Sequence, residues 1–200
     1  NISPFVEPAF ATARVGEVGL ALAWQGALCY GVQLYFDFSG YSDMAIGLAR
    51  LFGVRLPANF DSPYASLSIV EFWRRWHMTL SRFLRDYVYI PRGGNKRGEA
   101  QRSVNLMLTM LLGGLWHGAN YPFVIWGGMH GAYLLIAHLW QKRAPWRLPP
   151  VVARALTLAA VLLAWAPFRA DSATEAGAMM AGMNGLKGLR LDQVGFSAGG

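Results

Sequence analysis

Between Arg102 and Lys142 the chain carries no Asp, Glu, Lys or Arg, and an imidazole, His117, stands in the middle of that run. A membrane-crossing helix needs about 20 apolar residues, so residues 103–141 are too long for one span and suit two. The division falls at Gly118-Ala119-Asn120-Tyr121-Pro122. Proline lacks the N–H that a helix interior needs, and it pushes the preceding residue out of the α region. His117 is therefore expected to close one apolar helix just before a turn. An ionisable group in such a place is costly unless it is used or well paired.

The composition agrees with a membrane chain. Of the 200 residues, 54% are hydrophobic and only 14% charged, against about 25% charged in a soluble domain. Eight Trp, eight Tyr and eleven Phe suit membrane–water interfaces. The net charge of +7 does not indicate nucleic acid, because the basic residues cluster between apolar runs, where cytoplasmic loops place them. Cys29 is the only cysteine, so it forms no internal disulfide and reads as a small hydrophobe. The chain begins at Asn1 without Met and stops in the Gly-containing run 195–200. It reads as part of a single membrane domain of a longer protein, with spans missing before it and an end missing after it.

Taken in order, residues 1–14 contain Pro4 and Pro8 and read as a loop. Residues 18–36 are uncharged and long enough for one span. The aromatic and acidic stretch 35–43 reads as a turn, and 43–52 as a separate short helix ended by Gly53 and Pro57. Asp37, Asp43 and Arg50 either pair within the protein or cap helices at the interface. Residues 56–65 are a loop. Ser68-x-x-Glu71 fits a capping box, opening a helix expected to run from Ile69 to about Tyr89. On it Trp73, Trp76, His77, Leu80 and Leu84 share one face. Glu71 stands four residues before Arg75, and Arg82 four before Asp86, which sets each pair side by side. Such a helix belongs at the cytoplasmic interface or in a polar groove. Gly93-Gly94-Asn95 reads as a turn. The basic loops 92–102 and 142–154, the second including Arg147, flank the double apolar segment and are expected on the cytoplasmic side. Residues 155–168 form a further apolar run, short for a span, which would tilt or draw water inward. Residues 172–186 have helical spacing.

Chemistry has to come from imidazole. There are four histidines, His77, His117, His130 and His138, and none has metal-ligand spacing. A G-x-S-x-G elbow and a Walker loop are absent. A neutral imidazole at His117 can take a proton from an attacking hydroxyl; a histidine satisfied by a backbone carbonyl between helices is the alternative. His77 divides evenly between function and interfacial packing. His130, in Trp126-Gly127-Gly128-Met129-His130-Gly131, suits close helix packing or a supporting hydrogen bond, and His138 an interface.

Several blocks together resemble one family. They are Tyr35-Phe36-Asp37-Phe38-Ser39-Gly40-Tyr41-Ser42-Asp43-Met44-Ala45, Asn59-Phe60 with Pro63-Tyr64, Glu71-Phe72-Trp73-Arg74-Arg75-Trp76-His77, Leu84-Arg85-Asp86-Tyr87-Val88-Tyr89-Ile90-Pro91, Gly114-Leu115-Trp116-His117-Gly118-Ala119, Trp126-Gly127 with His130-Gly131, and, more weakly, Phe168-Arg169-Ala170-Asp171. In this order they resemble the membrane-bound O-acyltransferases, in the branch of bacterial alginate O-acetyltransferases. Tyr121, Pro122 and Pro167 depart from that pattern. The resemblance implies an all-α, polytopic transmembrane bundle with short, tilted and interfacial helices around a tunnel, in the bacterial inner membrane. It implies that His117 is the active-site histidine and His77 the second one, on the cytoplasmic approach. It also implies an acetyl group passed from a cytoplasmic thioester to extracytoplasmic partner proteins that modify a secreted polysaccharide.

No bound cofactor is expected; acetyl-CoA or another acetyl thioester is the donor substrate. Arg74, Arg75 and the basic residues through Arg102 would attract its phosphates. Trp116 and Asn120 are candidate oxyanion donors, and Trp76 and His130 further substrate-side candidates. His117 is expected to line an internal polar cavity. D-alanyl transfer to teichoic acid, acetylation of peptidoglycan or cellulose, and a histidine-using transporter are the competing readings.

Overall fold

The computed structural model describes residues 2–144 and 148–194. Arg147 and the glycine-containing run 195–200 lie outside the described residues. Those described form helices and turns without a strand. Eight α-helices follow in order: α1 Ser3–Arg14, α2 Leu20–Leu51, α3 Ile69–Arg75, α4 Met78–Leu84, α5 Gly98–His117, α6 Tyr121–Arg143, α7 Pro150–Arg169 and α8 Ala173–Met183. Of these, α6 and α7 are long and apolar enough to cross a membrane. Both α2 and α5 reach the length but not the apolarity.

The helices belong to two compact units. One comprises the described residues of Asn1–Tyr35, Asn120–Pro122 and Leu162–Gly200; the other is Phe36–Ala119 with Phe123–Val161. In the first, α1 packs on α8. The expected N-terminal loop is instead helix α1. Pro4 falls in its first turn, where a backbone N–H has no helical partner to lose. Pro8 does remove one bond, but Val6, Ala9, Phe10 and Ala13, at i, i+3, i+4 and i+7, are all buried, and that apolar stripe holds the helix. Arg14 pairs with Asp171 at 2.6 Å and with buried Glu175 at 3.4 Å, and Arg169 with Glu7 at 2.7 Å. At the start of α8, Ser172 accepts the Glu175 N–H at 3.1 Å and Glu175 accepts the Asp171 N–H at 3.0 Å, a capping arrangement.

Two further expectations are corrected here. The turn at 35–43 is absent: α2 runs unbroken through it, since no proline interrupts it and Gly40 alone does not stop a helix. Asp37, Asp43 and Arg50 lie exposed on it. The short run at 155–168 is extended by Pro150 at the first helical position to a helix of 20 residues, long enough to span.

In the second unit α5 and α6 form the expected hairpin, broken at 118–120 with Pro122 in the first turn of α6. Lys142 at the end of α6 pairs with Glu99 at the start of α5, which brings the two basic loops together. Gly93 and Gly94 turn the first loop, both at positive φ. Asn105 ties it to α5, donating to the carbonyls of Arg92 and Gly94 at 3.2 and 3.0 Å.

The hairpin is close-packed through glycine. A Cβ on Gly114 would stand 2.2 Å from the Phe123 carbonyl oxygen, and one on Gly127 2.5 Å from that of Met110. Gly127→Ala in the full-length protein should therefore destabilise it by about 1–3 kcal/mol, read as a lower unfolding temperature in detergent. Gly128→Ala, whose Cβ meets only a Leu111 methyl at 3.9 Å, should leave it unchanged. Equal effects would mean that close packing at Gly127 contributes nothing.

The joined loops predict a shared side. With Cys29 replaced, single cysteines at Gly98 and Pro149 should both resist, or both react with, an impermeant external reagent. Reaction of only one would rule out the hairpin topology.

Candidate functional site

The site grows from the aromatic content of the second unit. The helix expected from Ile69 to Tyr89 is not continuous. It breaks at Trp76, which is extended, and His77, which is left-handed at φ 43°, ψ 54°. That backbone costs a residue other than glycine roughly 1–2 kcal/mol. The capping box is present: Ser68 accepts the Glu71 N–H at 3.2 Å, while the Glu71 carboxylate reaches Leu67 N–H at 2.8 Å. Beyond the break come α4 and a π-helical turn, Arg85–Tyr89. The wider turn changes the register, so Asp86 bonds Arg85 at 2.7 Å rather than pairing with Arg82, whose Nε donates to the Met78 carbonyl. The Glu71–Arg75 pair forms as expected at 2.8 Å.

The break presents His77 to the end of α5. Its ring lies edge-on to Phe38 of α2, with centroids 4.8 Å apart, and 6.2 Å from Trp116. His117, the last residue of α5, lies 4.9 Å from Trp116 and 5.2 Å from Trp126 of α6. Trp116 is thus a common neighbour of both imidazoles, and it is largely exposed. Burial first, and the His117 imidazole second, push His77 down to about 4, so His77 stays neutral at physiological pH.

His130 is fully buried and supports this group. Its Nδ1 accepts the Trp73 indole N–H at 3.3 Å, and its ring lies 4.9 Å from Trp126. The Trp126 ring therefore touches both His117 and His130. Trp76 is buried among Phe60, Tyr64 and Phe72, a packing position. Asn120 belongs to the other unit, where its amide donates to the Asp171 carbonyl at 3.5 Å. The His138 Nδ1 lies 2.7 Å from the Leu134 carbonyl. Among the described residues no group of three or more His, Cys, Asp or Glu side chains is placed to hold a metal.

A cleft of about 550 Å³ opens in the same unit, with Trp73, Arg74, Met78, Arg82, Arg85 and His138 in its wall. Neither His77 nor His117 lines it. Its wall does include Trp73, which holds His130, and Met78, which follows His77. Of the arginines expected to meet a donor, Arg74 faces this cleft, whereas Arg75 is held by Glu71. Arg82 and Arg85, which lie in the basic stretch through Arg102, join Arg74 there. Asn59 is unexpected: its side chain meets His77, and the sequence offered only its place in a motif.

Residues 6–165 match the sequence profile of the membrane-bound O-acyltransferase family. The chain is 54% identical over 173 residues to the probable alginate O-acetylase AlgI of Pseudomonas putida, covering 86% of this chain and 36% of that protein. It is 47% identical over 185 residues to the peptidoglycan O-acetyltransferase of Helicobacter pylori, covering 91% and 35%. It is 33% identical over 127 residues to the teichoic acid D-alanyltransferase of Bacillus subtilis, covering 58% and 32%. The chain thus spans about a third of the length of these relatives. With four-fifths of its residues inside the family match, the chain belongs to the membrane-bound O-acyltransferase family.

Proposed function

We propose that the full-length protein transfers an acetyl group from a cytoplasmic thioester such as acetyl-CoA toward the O-acetylation of a secreted polysaccharide of the alginate kind. The observation that carries this reading is the pairing of His77 and His117 around Trp116 in the unit that holds the arginine-walled cleft. In this reading the chain is part of one multi-pass domain of the bacterial inner membrane, built around a tunnel. Extracytoplasmic partner proteins carry the acetyl group onward, and the polysaccharide is the final acceptor.

The chemistry assigns His117 the general base. The acceptor hydroxyl attacks the thioester carbonyl carbon, and His117 takes the hydroxyl proton. The new C–O bond forms, the C–S bond breaks, and the thiolate leaves and recovers a proton. General-base assistance of this kind is worth about 10²–10⁴ in rate. Neutral His77, which shares Trp116 as a neighbour, supplies a second hydrogen-bonding group, and Arg74, Arg82 and Arg85 attract the donor phosphates. A second acceptor, peptidoglycan, is favoured by the relative from Helicobacter pylori, which matches over 91% of this chain.

His117→Gln keeps size and hydrogen bonding but accepts no proton at neutral pH. In vesicles containing the full-length protein it should lower acetyl transfer by about 10²–10⁴-fold at unchanged expression. A wild-type rate would make His117 structural and the mechanism wrong.

The arginines give a different signature. Arg82→Ala with Arg85→Ala should raise KM for acetyl-CoA about tenfold or more, the equivalent of a charged hydrogen bond of roughly 1.5–3 kcal/mol, with kcat little changed. An unchanged KM would remove the cleft from the donor path.

A further inference from the structure

The left-handed break at His77 is held from outside its own helices. The first N–H groups of α4 have no partner within the helix, and His77, at the cap position, makes no side-chain cap bond. Asn59, from the loop between α2 and α3, supplies what is missing. Its backbone carbonyl accepts the Met78 N–H at 2.9 Å, and its side-chain Oδ1 accepts the Thr79 N–H at 3.2 Å. The same Oδ1 accepts the Thr79 hydroxyl at 3.0 Å and lies 3.1 Å from the His77 Nδ1. The Asn59 amide nitrogen donates to Ser42 of α2 at 3.3 Å.

The Thr79 hydroxyl also lies 3.4 Å from His77 Nδ1, but its shorter bond is to Asn59 Oδ1, and these contacts together favour one arrangement of protons. A backbone N–H can only donate, so the Asn59 atom facing Thr79 is the oxygen, which fixes the amide orientation. An amide oxygen only accepts, so the His77 nitrogen facing it carries the proton. The Nε2 of His77 is then the unprotonated nitrogen. We infer that Asn59 is a positioning residue: it sets the His77 tautomer and holds the ring toward the α5 terminus, so that Nε2 is the acceptor available to the acyl-transfer chemistry. This rests on the functional reading of the imidazole pair given above. The groups facing His77 are Phe38 of α2, Asn59 of the loop, Thr79 of α4 and Trp116 of α5. Among the described residues His117 is the titratable group that acts on it.

The test uses the full-length protein in vesicles with acetyl-CoA as donor, and selective ¹⁵N labelling of histidine. Wild-type His77 should show the Nδ1–H tautomer, and Asn59→Ala should give a tautomer mixture with kcat reduced at least about tenfold. Asn59→Asp keeps the acceptor but places a carboxylate beside the ring, which favours the imidazolium. The acid limb of its pH–rate profile should therefore move up by about 1–3 units. Ser42→Ala should alter neither tautomer nor pH profile. An Nε2–H tautomer in the wild type would overturn the inference, even if the Asn59 variants failed to insert. So would an Asn59→Asp protein with the wild-type pH profile. If His77→Ala itself transfers at the wild-type rate, the reading of the imidazole pair fails. The tautomer spectrum then still decides what Asn59 does.

Discussion

The approach of α5 to α6 is limited by backbone rather than by side chains. Gly114 lies against the Phe123 carbonyl and Gly127 against that of Met110, at separations a methyl group would forbid. This contact brings Trp126 within 5.2 Å of His117 and 4.9 Å of His130. One tryptophan ring thereby touches both histidines. The remaining parts of the candidate site depend on that spacing, because Trp73 reaches both Trp126 and His130 from α3. Interiors packed at crystal-like density tolerate little extra volume, so the glycines set the geometry more firmly than any hydrogen bond in the group.

Polar atoms among the aromatic rings are expensive unless bonded. Several in this unit are bonded. The Trp73 indole is taken by His130, and Asn59 gathers His77 and both donors of Thr79. The left-handed backbone at His77 persists because its surroundings over-determine it, and strain retained in this way clusters at functional sites. Here it breaks a helix that would otherwise have continued. The break sets the His77 ring near the end of α5, while the arginine face of α3 and α4 lines the cleft.

Much of this was legible in the sequence, for identifiable reasons. The charge-free run with Pro122 specified the hairpin, and Ser68-x-x-Glu71 specified the start of α3. Other features were not. The stripe Val6, Ala9, Phe10 and Ala13 outweighed two prolines that suggested a loop. The continuity of α2 through Tyr35–Asp43 was hidden because Gly, Ser and Asp mark turns in composition but do not force them. The break at Trp76–His77 was unreadable locally, since neither residue is a helix breaker; it is stabilised by Asn59, 18 residues away along the chain. That distance also explains why Asn59 carried no assigned role; the Arg82–Asp86 pair gave way to Arg85–Asp86 because a π turn altered the register.

The central claim is that the reacting acyl group meets the imidazole pair. The most direct measurement is a structure of the full-length protein with a non-hydrolysable acetyl-CoA analogue. The account predicts the acyl carbonyl within hydrogen-bond reach of His117 or His77, with the phosphates against Arg74, Arg82 or Arg85. An acyl group bound away from both imidazoles, with His77 and His117 packed against side chains alone, would contradict it.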